Sequence, residues 1–198
     1  VPGQSIVAEL GEKMLITGVN NLPITTTNIH WHGLMVPNPE DGPSRLFNPG
    51  DKFSYEFSIK ETGSYWYHSH FRPVVEQVDM GLYAPFIVKA PEDNSYSGDH
   101  VLMFDDWYLG RDGKRLEGTS VGHMNMERQG NLGTINGKSA EGIPALEFTK
   151  GELHKFRFMN ASTAVEHTIS IQNHKMRITH TDGRQLEKPM ISESVTIY

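Results

Sequence analysis

Residues 64–70 read SYWYHSH, an aromatic-rich stretch that alternates like a buried strand and ends on two histidines. Thirty-odd positions earlier, residues 28–34 read NIHWHGL. Residues i and i+2 of a strand point to one face, so His30 and His32 project together while Trp31 goes to the other side. His68 and His70 do the same, with Ser69 between them. An unpartnered polar ring in a core costs free energy, so two such pairs need partners.

Outward from these words the same period recurs. KMLITGV (13–19), KFSYEFSI (52–59), LYAPFIV (82–88), HVLMFDDW (100–107) and HKFRFMN (154–160) alternate between clusters of Gly, Pro, Asn and Asp. So do the shorter HTISIQ and KMRITHT. Period-2 patterning at this spacing predicts an all-β chain of antiparallel sandwiches or barrels. RPVVEQVDMG (72–81) is the one short stretch that could turn helically, and APEDNSYSGD (90–99) reads as an interdomain linker.

The ends of two strands repeat. GEKMLITGVN (11–20) and GELHKFRFMN (151–160) open on Gly-Glu and close on Asn at an offset of 140 residues. Such a repeat suggests that one fold occurs twice. At that offset His30 and His32 fall opposite Ser170 and Gln172. The imidazoles are then a local addition to the first copy, and the second copy has lost or never had them.

Composition narrows the chemistry. The chain has 198 residues, 37% hydrophobic and 21% charged, enough for one large or two small cores. A formal net charge of -6 offers no field for nucleic acid or an acidic membrane, and no run approaches the ~20 apolar residues of a membrane span. VPGQSIVAELGEK lacks the features of a signal peptide. With no cysteine, any metal must be held by His, carboxylate or Met.

If the two His-x-His strands are neighbours, four imidazoles share a face, roughly 7 Å apart along each strand and about 5 Å across. Nitrogens bound to one tetrahedral ion lie about 2 Å from it, so this rectangle suits more than one metal. Imidazole ligation favours copper, zinc, iron or nickel over magnesium and calcium.

TNIHWHGL followed by GSYWYHSH resembles the first domain of the multicopper oxidases, the laccase and copper-resistance oxidase group. PGQSIVAELGEKMLITGVNNLP, DGPSRLFNPGDKFSYEF and MGLYAPFIVKAPED are similar to other parts of that domain. HVLMFDDW, TINGKS, GELHKFRFMNAS and ITHTDGRQL resemble the start of the family's copper-free second domain. The resemblance implies two cupredoxin-like Greek-key β barrels: residues 1–91 with the ligands, and a copper-free, truncated second barrel over residues 92–198. It implies that His30 binds a type 2 copper, that His32 and His68 bind one type 3 copper, and that His70 binds the other. Asp41 matches the acid the family places near the type 2 copper to orient water or relay protons to dioxygen, although Asp-Gly-Pro is also a turn signature. Trp66 and Tyr67 read as packing that fixes the ligand strands.

By the same resemblance the function is that of a copper oxidase passing single electrons from a reducing substrate to dioxygen, located in the periplasm or outside the cell. The family's last domain supplies the remaining cluster ligands and a cysteine-ligated type 1 copper, and neither is encoded here. Three accounts follow: a portion of a longer oxidase, a non-catalytic copper-binding or copper-resistance module, or one chain of an assembly that completes the site. Zinc hydrolysis fits the residues less well, because Asp41 is the one nearby base. Open strand edges also predict self-association into a homo-oligomer. Of the other histidines, His123 lies beside Met124 and Met126 in a cluster that could bind Cu(I), or in an ordinary surface loop. His100, His154 and His167 show no paired spacing, and His174 and His180 read as strand residues in or near the core.

Overall fold

A computed structural model describes residues 1–116 and 129–198. In chain order its strands are β1 (Ile6–Glu9), β2 (Lys13–Val19), β3 (His30–His32), β4 (Lys52–Ser58), β5 (Gly63–His68) and β6 (Tyr83–Lys89). There follow β7 (Gly98–Trp107), β8 (Leu132–Ile135), β9 (His154–Asn160), β10 (His167–Ser170), β11 (Met176–Thr181), β12 (Arg184–Ser192) and β13 (Ser194–Ile197). One α-helix, α1 (Val74–Asp79), occurs among the described residues, inside the stretch expected to turn. The 90–99 stretch carries local structure of its own. Pro91–Ser95 form a 3-10 turn in which the Asp93 carboxylate accepts the Ala90 N–H at 2.9 Å, and β7 has begun by Gly98.

The chain divides into two compact units, one of residues 2–95 with 178–190, the other of Val1, 96–177 and 191–198. In the first, a sheet ordered β1-β6-β5-β3 faces the antiparallel pair β2-β4. Alternation explains the core between them. Tyr55 and Phe57 of β4 point inward, 0% and 3% exposed, against Trp31, Tyr65, Phe86 and Val88 of the larger sheet. Trp31 meets Tyr55 edge-on at 5.1 Å between ring centroids, and Phe57 at 5.4 Å. The expected cupredoxin-like all-β architecture is thus present as facing sheets. Among the described residues no ladder joins the two sheets, which pack through side chains, and the isolated bridge Thr27–Phe47 lies outside the named strands. The β11-β12 tip joins this unit where the Gly183 carbonyl accepts the Ser64 N–H at 3.2 Å and Arg184 meets Glu61 at 2.8 Å.

In the other unit β7 pairs antiparallel with β8 and parallel with β9, and β10 pairs with β13. The guanidinium of Arg157, 3% exposed, makes two bonds to Asp99 at 2.7 and 2.9 Å.

The repeated sequence ends build the same local structures twice. Glu12 accepts the Glu9 N–H on its carboxylate at 3.0 Å while its own N–H donates to the Glu9 carbonyl. Glu152 does the same with Thr149, at 2.9 Å. Gly11 and Gly151, at φ +85 and +96, supply the left-handed turn position that a β-carbon disfavours. Past the strands, Asn20 accepts the Leu22 N–H and donates to the Thr25 carbonyl; Asn160 accepts from Ser162 and donates to Val165. Each clamp closes the loop that follows its strand.

Candidate metal centre

β3 and β5 are antiparallel neighbours with His30 opposite His68, Trp31 opposite Tyr67 and His32 opposite Trp66. Register therefore puts Trp31 and Tyr67 into the core and turns His30, His32, Trp66 and His68 to the other face. Trp66 belongs to the histidine face: its ring stacks on His68 at 4.3 Å and lies 5.0 Å from His32. Tyr67 fills the packing role expected of it, with its hydroxyl on the Gln4 carbonyl at 2.8 Å.

One ring nitrogen from each of His30, His32 and His68 lies within 4.8 Å of the others. His70, just past the end of β5, completes the face, its ring 5.3 Å from that of His30 and 6.0 Å from that of His68. Along the strand the His30 and His32 rings are 5.7 Å apart, closer than the roughly 7 Å that an ideal pleat predicts, because the rings lean together. Nδ1 of His32 faces Nε2 of His68 at 3.1 Å.

Neighbouring carbonyls fix which nitrogen each ring presents. Nδ1–H of His68 donates to the Ser69 carbonyl at 2.8 Å, leaving the Nε2 lone pair toward His32. Nδ1–H of His30 donates to the Asp41 carbonyl at 2.9 Å, and the Asp41 carboxylate stands 3.3 Å from the same nitrogen. Gly42 permits that approach. At its φ of +100 a β-carbon would lie 1.7 Å from the Ile29 carbonyl oxygen.

Buried polar groups that the sequence reading passed over tie the segments together. Asn28, fully buried, accepts the His70 N–H at 2.7 Å and donates to the Pro43 carbonyl at 3.1 Å, linking the His70 turn to the Asp41 loop. Gln77 of α1 accepts the Thr27 and Ser69 hydroxyls, each at 2.6 Å, and donates to the Thr26 carbonyl at 2.9 Å. Nothing in the sequence near RPVVEQVDMG signals that job, since a Gln on a short helix is usually solvated.

Burial, above all, pushes His68 down from its ordinary 6.5 to about 4; the Ser69 carbonyl pulls the other way, and His30, His32 and His70 add to the lowering. His32 is lowered too, by burial first and then by His30 and His70, with Asp41 opposing. Both rings are neutral at pH 7, the state in which imidazole donates a lone pair. Two nitrogens about 2 Å from one tetrahedral ion stand about 3.3 Å apart, close to the 3.1 Å between His32 and His68. The donor set fits an imidazole-preferring metal.

Among the other histidines, His174 is exposed on a turn, against expectation, its Nδ1 donating to the Gln172 carbonyl. His180 lies on β11, and His167 on β10 meets the Ser162 hydroxyl at 3.0 Å. His100 and His154, 54 residues apart, are brought face to face. The His123, Met124 and Met126 cluster lies outside the described residues.

Two sequence profiles of one family, described as multicopper oxidase, match residues 1–93 and 98–198. The chain belongs to the multicopper oxidase family. Copper is the cofactor that this membership implies. The chain is 28% identical to the multicopper oxidase MmcO of Mycobacterium tuberculosis, over 92% of its own length and 42% of that protein's. It is 32% identical to Laccase-2 of Thanatephorus cucumeris, over 96% of its length and 35% of that protein's. It thus spans less than half of these curated relatives. Among solved structures, a multicopper oxidase from Campylobacter jejuni, described as a metallo-oxidase, superposes with a TM-score of 0.85 at 29% identity, over 100% of this chain and 41% of that one. The blue copper oxidase of Nitrosomonas europaea gives 0.82 at 27% identity, over 100% and 63%.

Proposed function

We propose that the four histidines supply half of a type 2/type 3 trinuclear copper site of a laccase-like oxidase. In this reading His30 serves the type 2 ion, His32 and His68 share one type 3 ion, and His70 serves the other. The observation that carries it is the convergence of His30, His32 and His68 ring nitrogens within 4.8 Å, with His32 Nδ1 and His68 Nε2 facing each other. When bound, copper supplies the one-electron chemistry by which dioxygen is reduced to water with electrons from a reducing substrate.

The chain's own residues hold and orient. The Asp41 and Ser69 carbonyls fix the tautomers of His30 and His68, so each ring offers Nε2. Trp66 stacks on His68 and restrains its ring. The Asp41 carboxylate, 3.3 Å from His30 Nδ1 and one-third exposed, can accept a proton from solvent and hand it inward.

The 198 residues contain no cysteine, so in this reading the type 1 copper and the remaining cluster ligands come from a further cupredoxin domain or a partner chain. The two profile matches, over residues 1–93 and 98–198, support the division into cupredoxin-like domains of residues 1–91 and 92–198. Among the described residues no helix is long and apolar enough to cross a membrane, and we place the protein in the periplasm or outside the cell by analogy with its family.

Native mass spectrometry of the copper-loaded protein tests the proposal. Copper should bind, and His32→Ala and His68→Ala should each lose copper while keeping the fold, and should abolish dioxygen reduction in the complete oxidase. Undiminished copper content and turnover in both variants would sink the ligand assignment. The lack of cysteine also favours a second reading, a copper-binding module without catalysis. That reading is correct if copper binds at these histidines but neither a longer chain nor a partner oxidises a substrate.

A further inference from the structure

His100 on β7 and His154 on β9 lie on one sheet face together with Gly98 and Phe156, because Gly98 pairs with His154 and His100 with Phe156. Nε2 of His100 faces Nδ1 of His154 at 3.1 Å, the same separation as between His32 and His68. On its far side His154 places Nε2 3.1 Å from the Glu152 carboxylate. Nε2–H therefore donates to Glu152, and Nδ1 keeps its lone pair toward His100.

Two further observations point to a ligand. Gly98 leaves open the space beside both facing nitrogens: a β-carbon there would lie 2.6 Å from His154 Nδ1 and 2.7 Å from His100 Nε2. Glu152 is held by its own turn, through the Thr149 N–H at 2.9 Å, before it meets His154. The first copy of the repeat makes the same turn with Glu12, and at the offset of 140 Met14 stands where His154 does. The turn accounts for the carboxylate but not for the imidazole beside it. The rings of Phe148, 4.6 Å from His154, and Phe156, 5.1 Å from His100, wall the pair, and the His154 side chain is 13% exposed.

We propose that His100 Nε2 and His154 Nδ1 chelate one divalent first-row transition ion, with Glu152 orienting His154 and water or an external donor completing the shell. Without metal, His100 Nε2–H donates to His154 Nδ1; with metal bound, His100 carries that proton on Nδ1 instead, so no proton is lost. The carboxylate–histidine pair fixes the tautomer and orientation of the ligating ring. Two imidazoles without thiolate select copper(II) over zinc(II) and exclude calcium and magnesium. These residues all belong to the second unit, apart from the four histidines of the first.

Zinc titrated into protein labelled with 15N-histidine, read ring by ring, tests the proposal. His100 Nε2 and His154 Nδ1 should shift together and saturate together, independently of His30, His32 and His68. Glu152→Gln should weaken the response by about 10–100-fold, and Gly98→Ala should remove it while the first-unit rings still respond. Silence of both rings at zinc levels that move the first-unit histidines would overturn the proposal, as would unchanged affinity in Glu152→Gln and Gly98→Ala. Should Gly98→Ala disturb the fold, which its amide spectrum would reveal, Glu152→Gln on the exposed turn decides.

Discussion

The chemistry proposed for the centre rests on neutral imidazoles, and their burial has a measurable consequence. His68 titrates near 4 when folded and 6.5 when unfolded, so between those values the unfolded chain binds a proton that the folded chain refuses. Stability is full above 6.5 and falls as pH drops toward 4, by about 3 kcal/mol from this residue. His32 acts in the same direction. Urea midpoints of metal-free protein should fall between pH 7.5 and 4.5, and His68→Gln should flatten that slope; an unchanged slope would exclude His68 as its source. Asp41 makes a separate prediction because its backbone and side chain do different work. Asp41→Asn keeps the carbonyl that holds His30, so copper content should persist while turnover of the complete oxidase falls by about 100-fold or more. Equal turnover would remove the carboxylate from proton transfer. The histidine pairs and Asp41 were legible as residues because their spacing and neighbours are local. Asn28 and Gln77 were not, since a buried amide differs from a solvated one only through partners 8 to 51 positions away.

Strands β3 and β5 deliver the imidazoles to one face by register alone, and the core on their other face keeps that register. Trp31→Ala removes the ring that packs on Tyr55, Phe57 and Phe86, at a cost of about 3–5 kcal/mol. Because Trp31 separates His30 from His32, the variant should lose copper affinity as well as thermal stability. A variant equally unstable but with wild-type affinity would show that the ligand strand does not depend on the core beneath it. Alternation predicted these strands and the 72–81 stretch predicted α1, since both signals are periodic within a few residues. The cupredoxin-like architecture implied by the resemblance is present as a pair of facing sheets; that their ladders do not join among the described residues was not legible, because ladder closure depends on strand ends far apart in sequence.

Over the whole molecule, the two Gly-Glu turns and the two Asn clamps show one local design used twice, with histidines added to the first copy's 28–34 stretch and others to the second copy's β7 and β9. The clamps differ in burial: Asn20 is 2% exposed and Asn160 only part-buried. Truncation that leaves buried partners unpaired costs about 1–3 kcal/mol, so Asn20→Ala should lower the urea midpoint more than Asn160→Ala. The reverse order would mean that the second clamp matters more than its exposure suggests. What the sequence by itself determined was the period of the strands, the common face of each His-x-His pair, the repeated strand ends and the family. Each follows from the fixed two-residue alternation of extended chain or from contiguous words. Only the tertiary structure decided that three ring nitrogens converge within 4.8 Å, that Asp41 reaches His30, that Asn28 ties His70 to the Asp41 loop and that His100 meets His154. Those depend on which strands pair and in what register, and pairing is set by burying the faces of distant strands together, a quantity that no short window of sequence contains.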